Sequence, residues 1–223
     1  MKNIGKVMSF LVCALAVFIC IVMIVMNFTD GDGDISNIVW TEEMLEEYNK
    51  APDSFYVEYI SAYEERYFTE DGYFSVSEGR WIPSCSQWQF TVRYNKSTLE
   101  EFSEERGREF AEDKDHFTFA LVASDGTVYR DFSYIRDAKG RYTYYRLVFD
   151  DVDISDIGDI QIMIYCLEDM ESEELPGVAV GKLPLYYSEL TREDYDFESE
   201  LPEDMKPTEG LVSGNQLLKG YVK

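Results

Sequence analysis

Histidine occurs once in this 223-residue chain, at His116, which excludes zinc sites built on several histidines. It also leaves a single partner for any Ser–His or Cys–His dyad. The sequence has neither a G-x-S-x-G nucleophile elbow nor a phosphate-cradling Gly-rich loop. His116 lies in "EDKDHF", at the entrance to a strand, where a solvent-exposed turn histidine is expected. Cysteine is nearly as rare. Of four, Cys13 and Cys20 fall in an apolar run, so Cys85 and Cys166 are the only pair outside it. Basic residues are outnumbered, 20 Lys and Arg against 44 Asp and Glu, for a formal net charge of −24. Such a surface repels nucleic acid and other polyanions, and leaves divalent cations or a basic protein as charge-matched partners. No internal repeat is visible.

One long apolar stretch is present, "VMSFLVCALAVFICIVMIVMNF" at residues 7–28, with only Ser9 and Asn27 polar. As a helix, its 22 residues span about 33 Å, enough for a hydrocarbon core of ~30 Å. It exceeds the apolar region of a cleaved secretory signal, and its only small-x-small pattern, Ala14-Leu15-Ala16, lies inside the run. Lys2 and Lys6 precede it and Asp30, Asp32 and Asp34 follow. The expectation is a single-pass signal anchor in the cell membrane, with residues 1–6 cytoplasmic and the remainder extracytoplasmic.

Residues 29–53 read as an acidic stalk holding one short helix. Asp30, Asp32 and Asp34 have the alternate spacing of a calcium loop, but Ile35 and Thr41 stand where such loops need Gly and Glu. Thr41 caps "TEEMLEEYNKAPDS", Glu42 and Glu43 sit at the positive end of the dipole, and Pro52 marks the stop.

From residue 54 to 190 the chain turns to short runs rich in Tyr, Phe, Val and Ile. In "SQWQFTVRY", Trp88, Phe90, Val92 and Tyr94 alternate with Gln87, Gln89, Thr91 and Arg93, the period of a half-buried strand. Thr98 and Glu101 are spaced as a capping box for a short surface helix. Asp125-Gly126 reads as a tight turn, and "TVYRDFSYI" and "RYTYYRLVF" flank a hairpin turn with Gly140 in the left-handed position. In "IQIMIYCLE", Ile160, Ile162, Ile164 and Cys166 share a side. "GVAVGKLPLYY" reads as an edge strand because Pro184 donates no ladder bond. Seven or eight such strands without alternating long helices predict a mainly β fold, an antiparallel β-sandwich. Residues 191–223, acidic and carrying Pro202 and Pro207, read as a mostly irregular tail.

Four constellations are candidates for function. Cys85 and Cys166 suit a disulfide in an oxidising compartment. With Trp88 three residues after Cys85, they resemble in part the core of immunoglobulin-type domains. That likeness implies an immunoglobulin-like layout at most, since Trp88 stands beside the first Cys and Tyr165 directly precedes the second. "FDDVDISDIGD" offers Asp151, Asp153 and Asp156 as oxygen ligands for Ca²⁺, the one cofactor entertained. Val152, Ile154 and Ile157 give a plainer alternative, a crossover tucked onto the core with its carboxylates in water. "SYIRDAKGRYTYYR" places Tyr134, Arg136, Arg141, Tyr142 and Tyr144 in a locally basic aromatic patch fit for recognition. The function expected is membrane-anchored binding or scaffolding of a protein partner, without an evident catalytic site. The alternative is a carbohydrate- or calcium-binding envelope module.

Overall fold

A computed structural model of the chain describes residues 12–23, 37–61, 67–68, 72–77, 79–153, 160–170, 179, 181–184, 191–194 and 196–219. Residues 12–23 form helix α1, exposed along its length. Among the described residues, no helix is long and apolar enough to cross a membrane.

The body is mainly β, in two antiparallel sheets. The larger contains β1 (Glu58–Ser61), β2 (Tyr67–Phe68), β3 (Phe74–Val76), β4 (Gly79–Ile82), β5 (Gln87–Asn95), β8 (Phe132–Lys139), β9 (Tyr142–Phe149), β12 (Thr191–Asp194) and β13 (Val212–Ser213). Its order is β12-β1-β4-β5-β9-β8-β13, with β2 paired to β3 and β3 to β5. β3 and β4 lie in line along the same edge of β5, Val76 opposite Val92 and Arg80 opposite Gln89. The smaller sheet runs β11 (Gly181–Pro184), β10 (Gln161–Cys166), β6 (Phe117–Val122) and β7 (Val128–Tyr129). Pro184 therefore does lie on an edge strand.

Periodicity explains the main core. Trp88, Phe90, Val92 and Tyr94 of β5 and Tyr145, Leu147 and Phe149 of β9 join Phe117, Phe119, Leu121, Ile162, Ile164 and Cys166 of the smaller sheet in one buried cluster. Ring pairs cross between the sheets, Phe119 with Tyr145 at 5.1 Å and Phe74 with Phe117 at 4.9 Å. The hairpin β8–β9 forms as its sequence implies, with Gly140 at φ 58°.

Three expectations are corrected. The alternate face of β5 is not water-facing: Gln87, Gln89 and Thr91 are buried. It is covered by residues 38–41 and by α2 (Glu42–Lys50), which begins as expected with Thr41 Oγ1 accepting from Met44 N at 3.2 Å. Ile38, Trp40, Met44 and Leu45 make a second cluster there with Phe55, Val57, Ile82, Cys85 and Phe197. From Ile38 onward the chain is therefore part of the body and not a stalk. Second, α3 (Lys96–Arg106) starts before the Thr98 box, because Asn95 at the end of β5 caps it by accepting from Ser97 N at 3.2 Å. Third, the chain after Leu190 is not simply a tail. It supplies β12 against β1, β13 against β8 and the short helix α4 (Asn215–Lys219).

Candidate functional site

A row of paired residues crosses the larger sheet: Glu58 on β1, Trp81 on β4, Trp88 on β5 and Phe149 on β9. Trp88 and Phe149 are fully enclosed, and Trp81 is 3% exposed. At Glu58 the row runs out of the core into an open cleft of about 580 Å³. Tyr56 and Glu58 line it at β1, Trp81 and Pro83 at the end of β4, Ser86 before β5, and Asp151, Val152 and Asp153 after β9. Its exposed lining is mainly polar, with Trp81 and Val152 buried behind it.

The far wall is a pinned loop. Val152 is buried in the main cluster and donates its N–H to Ser86 O at 3.0 Å, while Asp153 N donates to Tyr129 Oη at 3.3 Å. Ser86 (φ 50°) and Asp151 (φ 55°) both occupy the left-handed region, which costs non-glycine residues energy and which packing here maintains. Beside them, burial pushes the Asp150 carboxyl up to about 6. Glu43 adds to this, a hydrogen bond from Gln87 opposes it, and Asp151 and Asp131 contribute further.

Asp151 and Asp153 thus share one cleft, while Asp156 lies outside the described residues. Val152 is buried as the plainer reading of its segment expected, while Ile154 and Ile157 lie outside the described residues. Among the described residues, no three His, Cys, Asp or Glu side chains are gathered as a metal-holding group.

The disulfide is not formed. Cys85 and Cys166 are both free thiols, the first in the turn before β5 within the second cluster, the second at the end of β10 in the main one. Burial raises them to about 11 and about 12 respectively. Without that bridge, the Cys–Trp–Cys core that carried the partial immunoglobulin likeness is not formed.

The aromatic-basic patch is largely dismantled. Tyr134 is buried facing the core and donates to Asp115 Oδ2 at 2.9 Å, and Tyr144 is buried too. Arg136 is turned to the Glu112 carbonyl and lies 3.5 Å from Asp115. Only Tyr142 and Arg141 keep an open aspect, with Arg93 4.2 Å and Arg141 5.0 Å from the Tyr142 ring centre.

His116 is not an exposed turn residue but buried, 2% exposed. Its Nδ1 lies 2.5 Å from Glu168 Oε1 and its Nε2 2.6 Å from Ala111 O. Both nitrogens are engaged, so the ring is not poised beside a nucleophile.

Tyr56, Glu58, Trp81 and Ser86 were not singled out by the sequence. They come from separate segments that only strand pairing unites. No family model matches this chain, and neither a curated protein nor a solved structure shows significant similarity to it.

Proposed function

We propose that this protein is a membrane-anchored extracytoplasmic binding protein of β-sandwich type, whose cleft takes a cationic segment of a partner protein. The observation that carries this reading is the composition of the cleft: Glu58, Asp151 and Asp153 around Tyr56 and Trp81. Carboxylates attract Lys and Arg side chains, and the exposed Tyr56 ring adds cation–π attraction of ~0.5–1 kcal/mol. The chain's charge of −24 steers a basic partner toward the site and an acidic one away. That field also disfavours the Arg141–Tyr142 patch as the principal surface, because its complement would be acidic. The anchor reading rests on the 22-residue apolar run and on the exposed Leu15, Phe18 and Met23 of α1.

The test uses the full chain in detergent micelles, titrated with an Arg/Lys-rich peptide and with an acidic peptide of equal length. The basic peptide is expected to bind, more weakly as salt rises. Asp151→Asn with Asp153→Asn should weaken it at least ~10-fold, the effect of losing one or two charge-assisted contacts. Equal binding by the double variant, or no preference for the basic peptide, removes the proposal. Stabilisation by Ca²⁺ or a glycan, and not by peptide, would replace it with the corresponding ligand.

A further inference from the structure

The loop between α3 and β6 closes one end of the space between the sheets, and its last two residues reach opposite ways. Asp115 accepts from the hydroxyls of Tyr134 at 2.9 Å and Tyr145 at 3.1 Å, both on the larger sheet. His116 turns to the end of the smaller sheet and binds Glu168, whose other oxygen accepts from the Cys166 thiol at 3.1 Å. Leu167 N donates to His116 O at 2.9 Å. Phe110 from the same loop packs in the main core.

The two atoms facing the imidazole are both acceptors. One is a carboxylate oxygen, and the other is the Ala111 carbonyl. A neutral imidazole has one N–H, so it can satisfy only one of them and sets a lone pair against the other. A ring protonated at both nitrogens donates to both, at the short distances of charge-assisted bonds. The Phe110 ring, 5.0 Å from the imidazole centre, adds a π face favourable to a cation.

We infer that His116 is a buried imidazolium and that its proton operates a pH-dependent clasp joining the two sheets. With the proton in place, residues 107–116 are bound to the larger sheet through Asp115 and to the smaller through His116. When the proton leaves to water, one short contact becomes lone pair against lone pair, and the loop's hold on Leu167–Asp169 loosens to the Leu167 N–His116 O bond and the Arg106 and Arg108 pairs with Asp169.

The surrounding charges fit this arrangement. From the end of β10 come Glu168, Asp169 and the neutral Cys166 thiol. From α3 and the following loop come Arg106 and Arg108, both paired with Asp169, and Arg108 also donates to Glu168 O at 3.2 Å. Asp115 is turned to the tyrosines and Arg136. Burial by itself would raise the Glu168 carboxyl, but hydrogen bonds from His116 and Cys166 outweigh it and hold the carboxyl below its ordinary value. The clasp is therefore lost in two directions. Rising pH strips His116, and pH falling below the ordinary Glu range protonates Glu168.

Because the chain has one histidine, ¹⁵N-histidine labelling of the full chain in micelles gives one ring to observe. At pH 7 both ring nitrogens should resonate as protonated. On raising the pH, loss of one proton should coincide with faster amide exchange confined to residues 107–116 and 167–170. A ring neutral at pH 7 overturns the inference, and so does deprotonation without any change in exchange. Glu168→Gln, which keeps an oxygen acceptor but removes the charge, should melt lower by on the order of 10 °C and lose the pH dependence seen in the parent chain as pH rises. An unchanged pH profile in that variant also refutes the clasp. If the variant fails to fold, the ring spectrum and exchange of the parent chain decide alone.

Discussion

Trp40→Ala tests whether the segment after α1 belongs to the folded body. Trp40 is 2% exposed and packs on Phe55 at 5.9 Å, Phe197 at 6.2 Å and Tyr48 at 6.3 Å. Its indole N–H donates to Glu200 O at 2.8 Å, its amide donates to Thr208 Oγ1, and its carbonyl accepts from Thr208 N, each at 2.8 Å. Neighbouring Val39 exchanges two bonds with the Gln89 side chain, at 2.9 and 2.8 Å. Truncating a buried tryptophan to alanine costs ~3–5 kcal/mol through lost transfer energy and the cavity left behind. For a chain of this size, each kcal/mol shifts the midpoint by ~2–4 °C, so a loss of roughly 6–20 °C is expected. The backbone bonds survive the substitution, which places the cost in the second cluster. Thermal melts by circular dichroism give the number. Limited proteolysis should cut near residues 37–41 well below the temperature at which the main core unfolds. A midpoint shift below ~2 °C would mean that this segment is a loose stalk after all.

Two further outcomes follow from the larger sheet. The Asp150 carboxyl, raised to about 6, favours the protonated folded state. Stability should accordingly fall as pH rises from the ordinary Asp value through 6. Asp150→Asn should remove that fall, so that the parent's drop in midpoint between pH 4 and pH 7 shrinks by ~2–4 °C in the variant, allowing for the carboxyl's partial exposure; a parallel pH profile would contradict this. At Gly79, an added Cβ would overlap Trp88 Nε1, a core ring with no room to retreat. Gly79→Ala should cost ~1–3 kcal/mol in urea unfolding and perturb tryptophan fluorescence, whereas a neutral result would show that β4 can shift away from β5.

How far the sequence spoke for the fold can be judged at β5. The alternation of Trp88, Phe90, Val92 and Tyr94 with polar residues correctly identified an inner face, because burial on one side imposes period two. The same logic expected water at Gln87, Gln89 and Thr91, all of which are instead buried, the two glutamines against residues 39–44. A glutamine satisfies either environment: in water it is solvated, and here it replaces water for the Val39 backbone fifty residues away. The residue type therefore carries no mark of its partner. A hint lay in Trp40, since a solvated stalk has no use for an indole. In the hairpin, parity sorted Tyr134 and Tyr145 inward, and reading all the tyrosines as one patch ignored it.

The candidate site was legible only in its acidic half. Asp151 and Asp153 stood out because carboxylates cluster visibly in one segment. Tyr56, Glu58, Trp81 and Ser86 carry no local pattern, as their proximity is created by the order β1-β4-β5-β9. That dependence has a physical consequence. A one-residue slip of β1 against β4 would carry Glu58 to the opposite face and leave Trp81 facing a different neighbour. The rings behind the cleft, Trp81 against Trp88 and Trp88 against Phe149, set β4 on β5 and β5 on β9 and so place the Trp81 side of the cleft. The main core and the mouth of the cleft therefore share one determinant. Core substitutions along this row should alter ligand capture even where no contact with the ligand is made.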